Sequence, residues 1–150
     1  VSNDDVVVEN PKITDLQVKL LNDNIISPDQ DISFEISYDV NEDIETYIAF
    51  SLTDIDRGIW IYNDNSMDNK TSGSGRKTLT YKCSLAHLNN IKLKLQVSVR
   101  DKDDQMIAFA DSDNSPVILL NRTDIEDDDK SAKDSATGMV KRNGKWEIQE

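Results

Sequence analysis

The stretch "DISFEISYDV", residues 31–40, indicates the fold class of this chain. Apolar and polar residues alternate strictly along it, and successive side chains of a β-strand point to opposite faces. The period of two therefore predicts a strand with one buried face and one solvated face. The predicted buried set is Ile32, Phe34, Ile36, Tyr38 and Val40.

The same alternation recurs along the chain between turn-forming residues. It is clear in residues 13–21, 45–53 and 91–100, and shorter candidate strands lie at 59–63, 77–83, 105–110 and 116–120. The intervening segments are rich in Asn, Asp, Ser, Pro and Gly, which supply the backbone conformations that turns require. Only "SLAHLNN", residues 84–90, indicates a helical turn, which we expect to cross between two sheets.

About eight half-apolar strands predict an all-β fold, an antiparallel β-sandwich of two packed sheets. A jelly-roll-like strand order and an immunoglobulin-like order are both compatible with the spacing of the strands. The predicted sandwich covers residues 12–120 and follows a linker at residues 1–11.

The composition changes after residue 120. Residues 121–138, "NRTDIEDDDKSAKDSATG", are polar and charged, which predicts a loop or a disordered connection. In residues 139–150 the pair Asn143–Gly144 is typical of a two-residue hairpin turn. Apolar residues flank that turn: Met139, Val140, Trp146 and Ile148. Because an isolated hairpin is marginal, we expect this segment to cover an edge of its own sandwich or to pair with a neighbouring subunit.

Charge and cysteine content exclude several classes of function. The formal net charge of -12 argues against nucleic acid and anionic lipid as partners, because an acidic surface repels phosphate groups. The single cysteine, Cys83, excludes an internal disulfide and lies in an alternating pattern, so we expect it to be a small buried side chain. The chain begins with valine, which suggests a piece of a longer protein.

We predict no catalytic residue, no cofactor and no metal site. The one histidine, His87, has no nucleophile beside it in the sequence, and Cys83 falls in a strand pattern. Acidic turns at "TDIDRG" (53–58), "RDKDDQ" (100–105) and "ADSDNS" (110–115) lack the EF-hand pattern. Structural calcium at these turns stays open as an alternative.

The stretch "GIWIYNDN", residues 58–65, carries the candidate ligand-binding aromatics. Strict alternation places Trp60 and Tyr62 on one face of the strand and Ile59 and Ile61 on the other. One interpretation is that the two aromatics cover the rim of the core or an interface. The other is a stacking platform for an uncharged, polyhydroxylated ligand such as a sugar, whose ring presents C–H groups to aromatic faces.

Polar side chains suited to such a ligand lie on the same strand and on its predicted neighbours. Amides and hydroxyls can exchange hydrogen bonds with sugar hydroxyls. Arg100 could in addition bind an acidic sugar or a phosphate group as a bidentate donor. The predicted ligand-binding residues are Tyr47, Trp60, Tyr62, Asn63, Asn65, Gln96, Ser98 and Arg100, with Asp64 as a further candidate.

Three stretches of the chain, taken in order, resemble a known family. They are "ITDLQVKLLNDN" (13–24), "ISPDQDISFEISYDVNEDIETYIAFSLTDIDRGIWIYNDN" (26–65) and "IKLKLQVSVRDKDDQMIAFADSDNSPVILL" (91–120). The closing "GMVKRNGKWEIQE" (138–150) is also similar. The family is that of the C-terminal carbohydrate-binding domains of Wzt-type subunits, from ABC transporters that export O-antigen polysaccharides. The shared motifs are a D-x-D-x-G turn followed by a short strand and Asn, and a late Gly and Trp.

The resemblance implies a jelly-roll-like sandwich that forms a homodimer by exchanging its C-terminal strand. It also implies recognition of the modified non-reducing end of a polysaccharide in the cytoplasm, at the inner face of the membrane. An ATPase domain in the parent chain would connect the module to the transmembrane transporter subunit, since these 150 residues contain no Walker motif. The alternative function is a structural or protein–protein interaction sandwich without glycan binding.

Overall fold

The computed structural model of the chain describes residues 10–149, so most of the linker predicted at residues 1–11 lies outside the described residues. The nine strands of the described part are β1 (Ile13–Leu20), β2 (Ile25–Ile26), β3 (Ile32–Val40), β4 (Thr46–Asp54), β5 (Ile59–Asn65), β6 (Gly75–Cys83), β7 (Ile91–Asp101), β8 (Met106–Phe109) and β9 (Val117–Leu120). One helix, α1 (Lys130–Ser135), follows them.

The strands form two sheets that pack face to face. The small sheet has the order β1-β3-β6, and the large sheet has the order β2-β9-β7-β4-β5, with β8 paired to the second half of β7. Within the described residues the pairings are antiparallel apart from the short parallel contact of β2 with β9. The predicted all-β sandwich is therefore confirmed.

The order of the strands is of the immunoglobulin type, one of the two orders that the sequence left open. In that topology strands A, B and E share one sheet and strands C, F and G share the other. Here β1, β3 and β6 take the first set of positions, and β4, β7 and β9 take the second. The strand β5 extends the large sheet beyond β4 and forms its edge.

The core lies between the sheets and follows the alternation seen in the sequence. All five predicted inward residues of β3 are buried, and β4 and β7 supply the opposing layer. Phe34 of the small sheet meets Phe50 of the large sheet edge to face, with ring centroids 5.0 Å apart. Aromatic pairs in this geometry add to the stabilisation from apolar burial.

Residues 84–90 cross from the small sheet to the large sheet, as the sequence predicts, but they form a tight turn and not a helix. The amide of Leu88 donates to the carbonyl of Leu85 at 3.0 Å, and both leucine side chains are buried between the sheets. The crossing is therefore held by two apolar anchors.

The segment after β9 differs from its prediction in two ways. Within the predicted loop, α1 forms over Lys130–Ser135, and the Asp129 carboxylate caps it by accepting the Ala132 amide at 3.0 Å. The hairpin predicted at Asn143–Gly144 is absent, because residues 141–149 form no strand. Strand exchange remains a prediction. No helix in residues 10–149 has the length and apolar character needed to cross a membrane.

Asn89 ties this segment to the sandwich. Its side-chain amide is buried and donates to the carbonyls of Gly138 at 2.7 Å and Val140 at 3.1 Å. Its carbonyl oxygen accepts a hydrogen bond from Arg122 at 2.9 Å. One buried side chain thus binds polar groups at both ends of the connection.

We expect Asn89→Ala to lower the free energy of unfolding by about 1–3 kcal/mol, because it removes a buried amide that holds the Gly138 and Val140 carbonyls and the Arg122 guanidinium. Urea unfolding measures this loss, and limited proteolysis should show earlier cleavage within residues 121–142. The control is Asn69→Ala, which removes an exposed amide from a short 3₁₀ turn. Equal stability of the two variants would contradict the anchoring role of Asn89.

Candidate functional site

A groove of ≈ 430 Å³ lies on the outer face of the large sheet. Four adjacent strands supply its walls and floor, in the order β5, β4, β7 and β8. Its outward-facing side chains are Trp60, Asn63 and Asn65 from β5, Ala49 and Ser51 from β4, Gln96, Ser98 and Arg100 from β7, and Met106 and Phe109 from β8.

Strand register explains why this face is concave. Asn65 pairs with Ala49, Ala49 with Ser98, and Ser98 with Phe109, which makes one row across four strands. Directly paired residues project from the same face of a sheet. The middle of the row carries the small side chains of Ala49 and Ser98, and the next row is centred on Ser51. Small residues at the centre and large ones at the sides leave a trough.

The sides of the trough are apolar and accessible. Trp60 is 73% exposed at the β5 side, while Met106 and Phe109 are 52% and 56% exposed at the β8 side. Scattered apolar residues on a surface are ordinary, but large ones facing a common depression mark interaction sites. The groove therefore offers two apolar walls to a ligand.

The floor of the groove is polar, with hydrogen-bonding capacity left over. The side-chain oxygen Oε1 of Gln96 accepts a hydrogen bond from the Thr53 hydroxyl at 3.2 Å. This bond orients the side-chain nitrogen of Gln96 as a donor. The side-chain oxygen Oδ1 of Asn65 accepts a hydrogen bond from the Met67 backbone amide at 3.0 Å. The side-chain nitrogen of Asn65 is thereby left as an available donor. Fixed amides of this kind are among the polar groups that orient ligands in binding sites.

A β-bulge at Ile61 separates the two aromatics that the sequence places on one face. In the β4–β5 ladder Tyr62 pairs with Leu52, whereas Trp60 pairs with Thr53, so Ile61 is an extra residue. Leu52 and Thr53 are consecutive and point to opposite faces. The prediction that Trp60 and Tyr62 share a face is therefore wrong, and Trp60 alone lines the groove.

Tyr62 faces the core at the open side of the sandwich. Its ring stacks near Phe50 with centroids 6.1 Å apart, and its hydroxyl lies 2.5 Å from that of Tyr81 in the small sheet. The Tyr81 hydroxyl also donates to the Asp64 carboxylate, so Asp64 points inward too. Burial and the hydrogen bond to Asp64 raise the pKa of Tyr81. These groups link the sheets and lie away from the ligand face.

Tyr47 lies on the predicted face but is only 3% exposed. Its hydroxyl donates to Asp104 at 2.8 Å in the β7–β8 turn, and the Lys70 ammonium lies 5.9 Å from its ring centre. Burial and the hydrogen bond to Asp104 raise the pKa of Tyr47. The turn thus covers Tyr47, which supports the end of the groove without lining it.

The aspartates of the acidic turns accept hydrogen bonds from backbone amides of the same turns. Asp54 is buried, accepts the amides of Asp56 and Arg57 at 3.0 Å each, and forms an ion pair with the Arg57 guanidinium at 2.7 Å. Burial raises the pKa of this carboxyl, but the bonds to Arg57 outweigh it and hold that pKa below its ordinary value. Asp101 and Asp111 accept amides in their own turns in the same way. No cluster of three or more metal-ligating side chains occurs in residues 10–149.

Comparison with solved structures supports the fold. The crystal structure of the C-terminal domain of wzt is similar to this chain with a TM-score of 0.55 and 12% identity, over 93% of this chain and 86% of that one. The likeness is one of fold. No family model matches the sequence, and no curated protein is significantly similar to it.

Two other solved structures align over less of the chain. The CARDB domain of the PF1109 protein from Pyrococcus furiosus, in complex with di-metal ions, has a TM-score of 0.45 and 11% identity, over 74% of this chain and 96% of that one. The alkylpurine DNA glycosylase AlkC of Pseudomonas fluorescens, bound to DNA, has a TM-score of 0.45 and 9% identity, over 73% of this chain and 30% of that one.

Sequence reasoning missed the second apolar wall. Met106 and Phe109 belong to "QMIAFA", residues 105–110, which the sequence identifies only as a short candidate strand. Two apolar residues in so short a strand predict that both side chains are buried. A bulge at Ile107, opposite Val99 and Arg100, and the tight turn at residues 101–105 bring this strand beside β7 with both side chains outward.

The bulge predicts opposite outcomes for the two aromatics. Trp60→Ala should change the free energy of unfolding by no more than about 0.5 kcal/mol, as is usual for an exposed side chain. Tyr62→Ala should lower it by about 2–4 kcal/mol, because it opens a cavity beside Phe50 and removes the hydroxyl contact with Tyr81. Urea unfolding of both variants checks this, and equal destabilisation would contradict the register shift at Ile61.

Proposed function

We propose that this chain is a non-catalytic carbohydrate-binding module that recognises an O-antigen-type polysaccharide through the groove of the large sheet. The observation that carries the proposal is the pairing of exposed apolar walls with a floor of oriented amides and hydroxyls. A sugar ring has apolar C–H faces and hydroxyls around its rim, and it needs both kinds of partner at once.

The dimensions of the groove agree with a short oligosaccharide. Its ≈ 430 Å³ lies in the range of about 300–1,000 Å³ that is typical of small-ligand sites. The two walls lie on the outer pair of four strands spaced about 4.8 Å apart, so the groove is about 14 Å wide. We therefore infer that a few sugar units bind at a time, as recognition of a chain end requires.

The fold likeness to the C-terminal domain of wzt and the sequence resemblance to Wzt-type domains support a role in polysaccharide export. In this proposal the module reads the modified non-reducing end of the glycan at the cytoplasmic face of the membrane. The rest of the parent chain connects the module to the transmembrane subunit of an ABC transporter. The module itself binds and performs no chemistry.

A homodimer is the second part of the proposal. Trp146 is 98% exposed and Ile148 is 86% exposed in the monomer, although their segment has an alternating apolar pattern. Large apolar side chains in a strand-like pattern are stabilised when they pair with an open sheet edge. We propose that residues 143–150 add to the partner subunit in this way.

A protein–protein interaction module is the second candidate function. The strand β6 ends the small sheet and pairs with β3 on one side only, so its other edge is open within the described residues. An open edge can take an added strand from another protein, although the cationic Arg76, Lys77 and Lys82 on β6 oppose such pairing. Glycan binding separates the two candidates.

We expect Met106→Ala to weaken binding of the cell's own polysaccharide by about tenfold, because it removes the methionine half of the β8 wall. Retention of the purified chain on immobilised polysaccharide measures this effect. The matched control is Met67→Ala, which shortens another exposed methionine outside the groove and should bind as the wild type does. The glycan-binding proposal would be overturned if the wild-type chain did not bind its own cell's polysaccharide, or if both variants lost binding equally.

Deletion of residues 143–150 should convert the dimer to a monomer without unfolding it. The cut leaves the amide of Lys141 on the His87 carbonyl, at 2.7 Å, and preserves the contacts of Asn89. Sedimentation equilibrium gives the mass, and circular dichroism shows that the sandwich is retained. A full-length chain that is already monomeric, or a truncated chain that stays dimeric, would refute strand exchange.

A further inference from the structure

Arg100 closes one end of the groove. It is paired with Tyr47 on one side and Met106 on the other, and it projects from the outer face of β7. Its Nε is buried and has no hydrogen-bond partner, the one such buried side-chain nitrogen or oxygen in residues 10–149. None of the ion pairs among those residues involves Arg100.

A buried guanidinium nitrogen without an acceptor is unfavourable for the unliganded protein. Nearly all buried polar groups find partners, and a charged donor left unpaired costs more than a neutral one. The guanidinium is a planar fork that matches the two oxygens of a carboxylate or a phosphate. An anionic group of the ligand is therefore a suitable partner for this guanidinium, which lines the groove and forms no ion pair within residues 10–149.

The electrostatics of the groove agree with an anionic group at this point. Asp64 is the one acidic residue in the lining, and its carboxylate is turned inward to Tyr81. The turn carboxylate of Asp104 accepts the Tyr47 hydroxyl and forms no ion pair with Arg100 within 4.0 Å. Lys94 adds a second positive charge on the same face, in the row that contains Trp60.

We infer that the glycan bound in this groove carries an anionic substituent, a carboxylate or a phosphate ester, which the Arg100 guanidinium binds. The inference rests on the proposed function and adds the chemical class of the ligand. The net charge of -12 repels a polyanion as a whole. The substituent is therefore sparse, and the remainder of the bound segment is neutral.

The test uses the cell's own polysaccharide in three forms: native, carboxyl-reduced with carbodiimide and borohydride, and dephosphorylated with aqueous hydrogen fluoride. We expect one of the two treatments to weaken binding to the wild-type chain by about tenfold or more, which distinguishes a carboxylate from a phosphate. Arg100→Gln should show the same loss on native polysaccharide and no further loss on the treated form. Arg100→Lys, which keeps the charge but loses the fork, should fall between them.

The control is Lys82→Gln, which changes the net charge equally on the small sheet, far from the groove, and should bind native polysaccharide as the wild type does. Native binding that survives both treatments would overturn this inference and leave the glycan-binding proposal standing. A loss in Arg100→Gln that is as large on both treated forms as on native material would also overturn it. Failure of the wild type to bind native polysaccharide would instead remove the proposed function itself.

Discussion

The packing of the two inner sheet faces is the constraint on which the rest of the molecule depends. Phe34 and Phe50 meet across the sandwich at 5.0 Å, and apolar residues of β3, β4 and β7 surround them. Because a strand can bury only alternate residues, this packing forces the intervening residues of β4 and β7 outward. The floor of the groove, with Ser51 and Gln96, is the other side of the same strands that form the core.

One extra residue in an edge strand then decides what the groove can bind. The bulge at Ile61 turns Tyr62 toward Tyr81 and leaves Trp60 outside, so one aromatic joins the sheets and the other becomes a wall. Bulges are common at sheet edges and beside binding sites, where they change the direction of a side chain. Without this bulge either both aromatics would be sealed in the core or both would lie on the surface.

The candidate residues chosen from the sequence make up much of this site, because Trp60, Asn63, Asn65, Gln96, Ser98 and Arg100 all line the groove. Strict alternation puts Asn63 and Asn65 on the face opposite Trp60, and only the bulge at Ile61 brings the three together. Tyr47 has the expected direction but is covered by the β7–β8 turn, and Tyr62 has the opposite direction because of the bulge. The second wall, Met106 and Phe109, was missed because its strand has only four residues and shows no clear period. Turns and bulges depend on contacts between strands, which a pattern within one strand does not contain.

The sequence alone determined that this chain is an all-β sandwich, which residues of the long strands face inward, and where turns fall, because burial and turn chemistry act on neighbouring residues. Only the tertiary structure decided the immunoglobulin-like order of the strands and the Asn89 anchor on residues 138–140. It also decided the position of β8 beside β7 and the register shift at Ile61. Each of these depends on pairing between segments far apart in the chain. The free energy of that pairing depends on both segments together, so no single stretch of sequence predicts it.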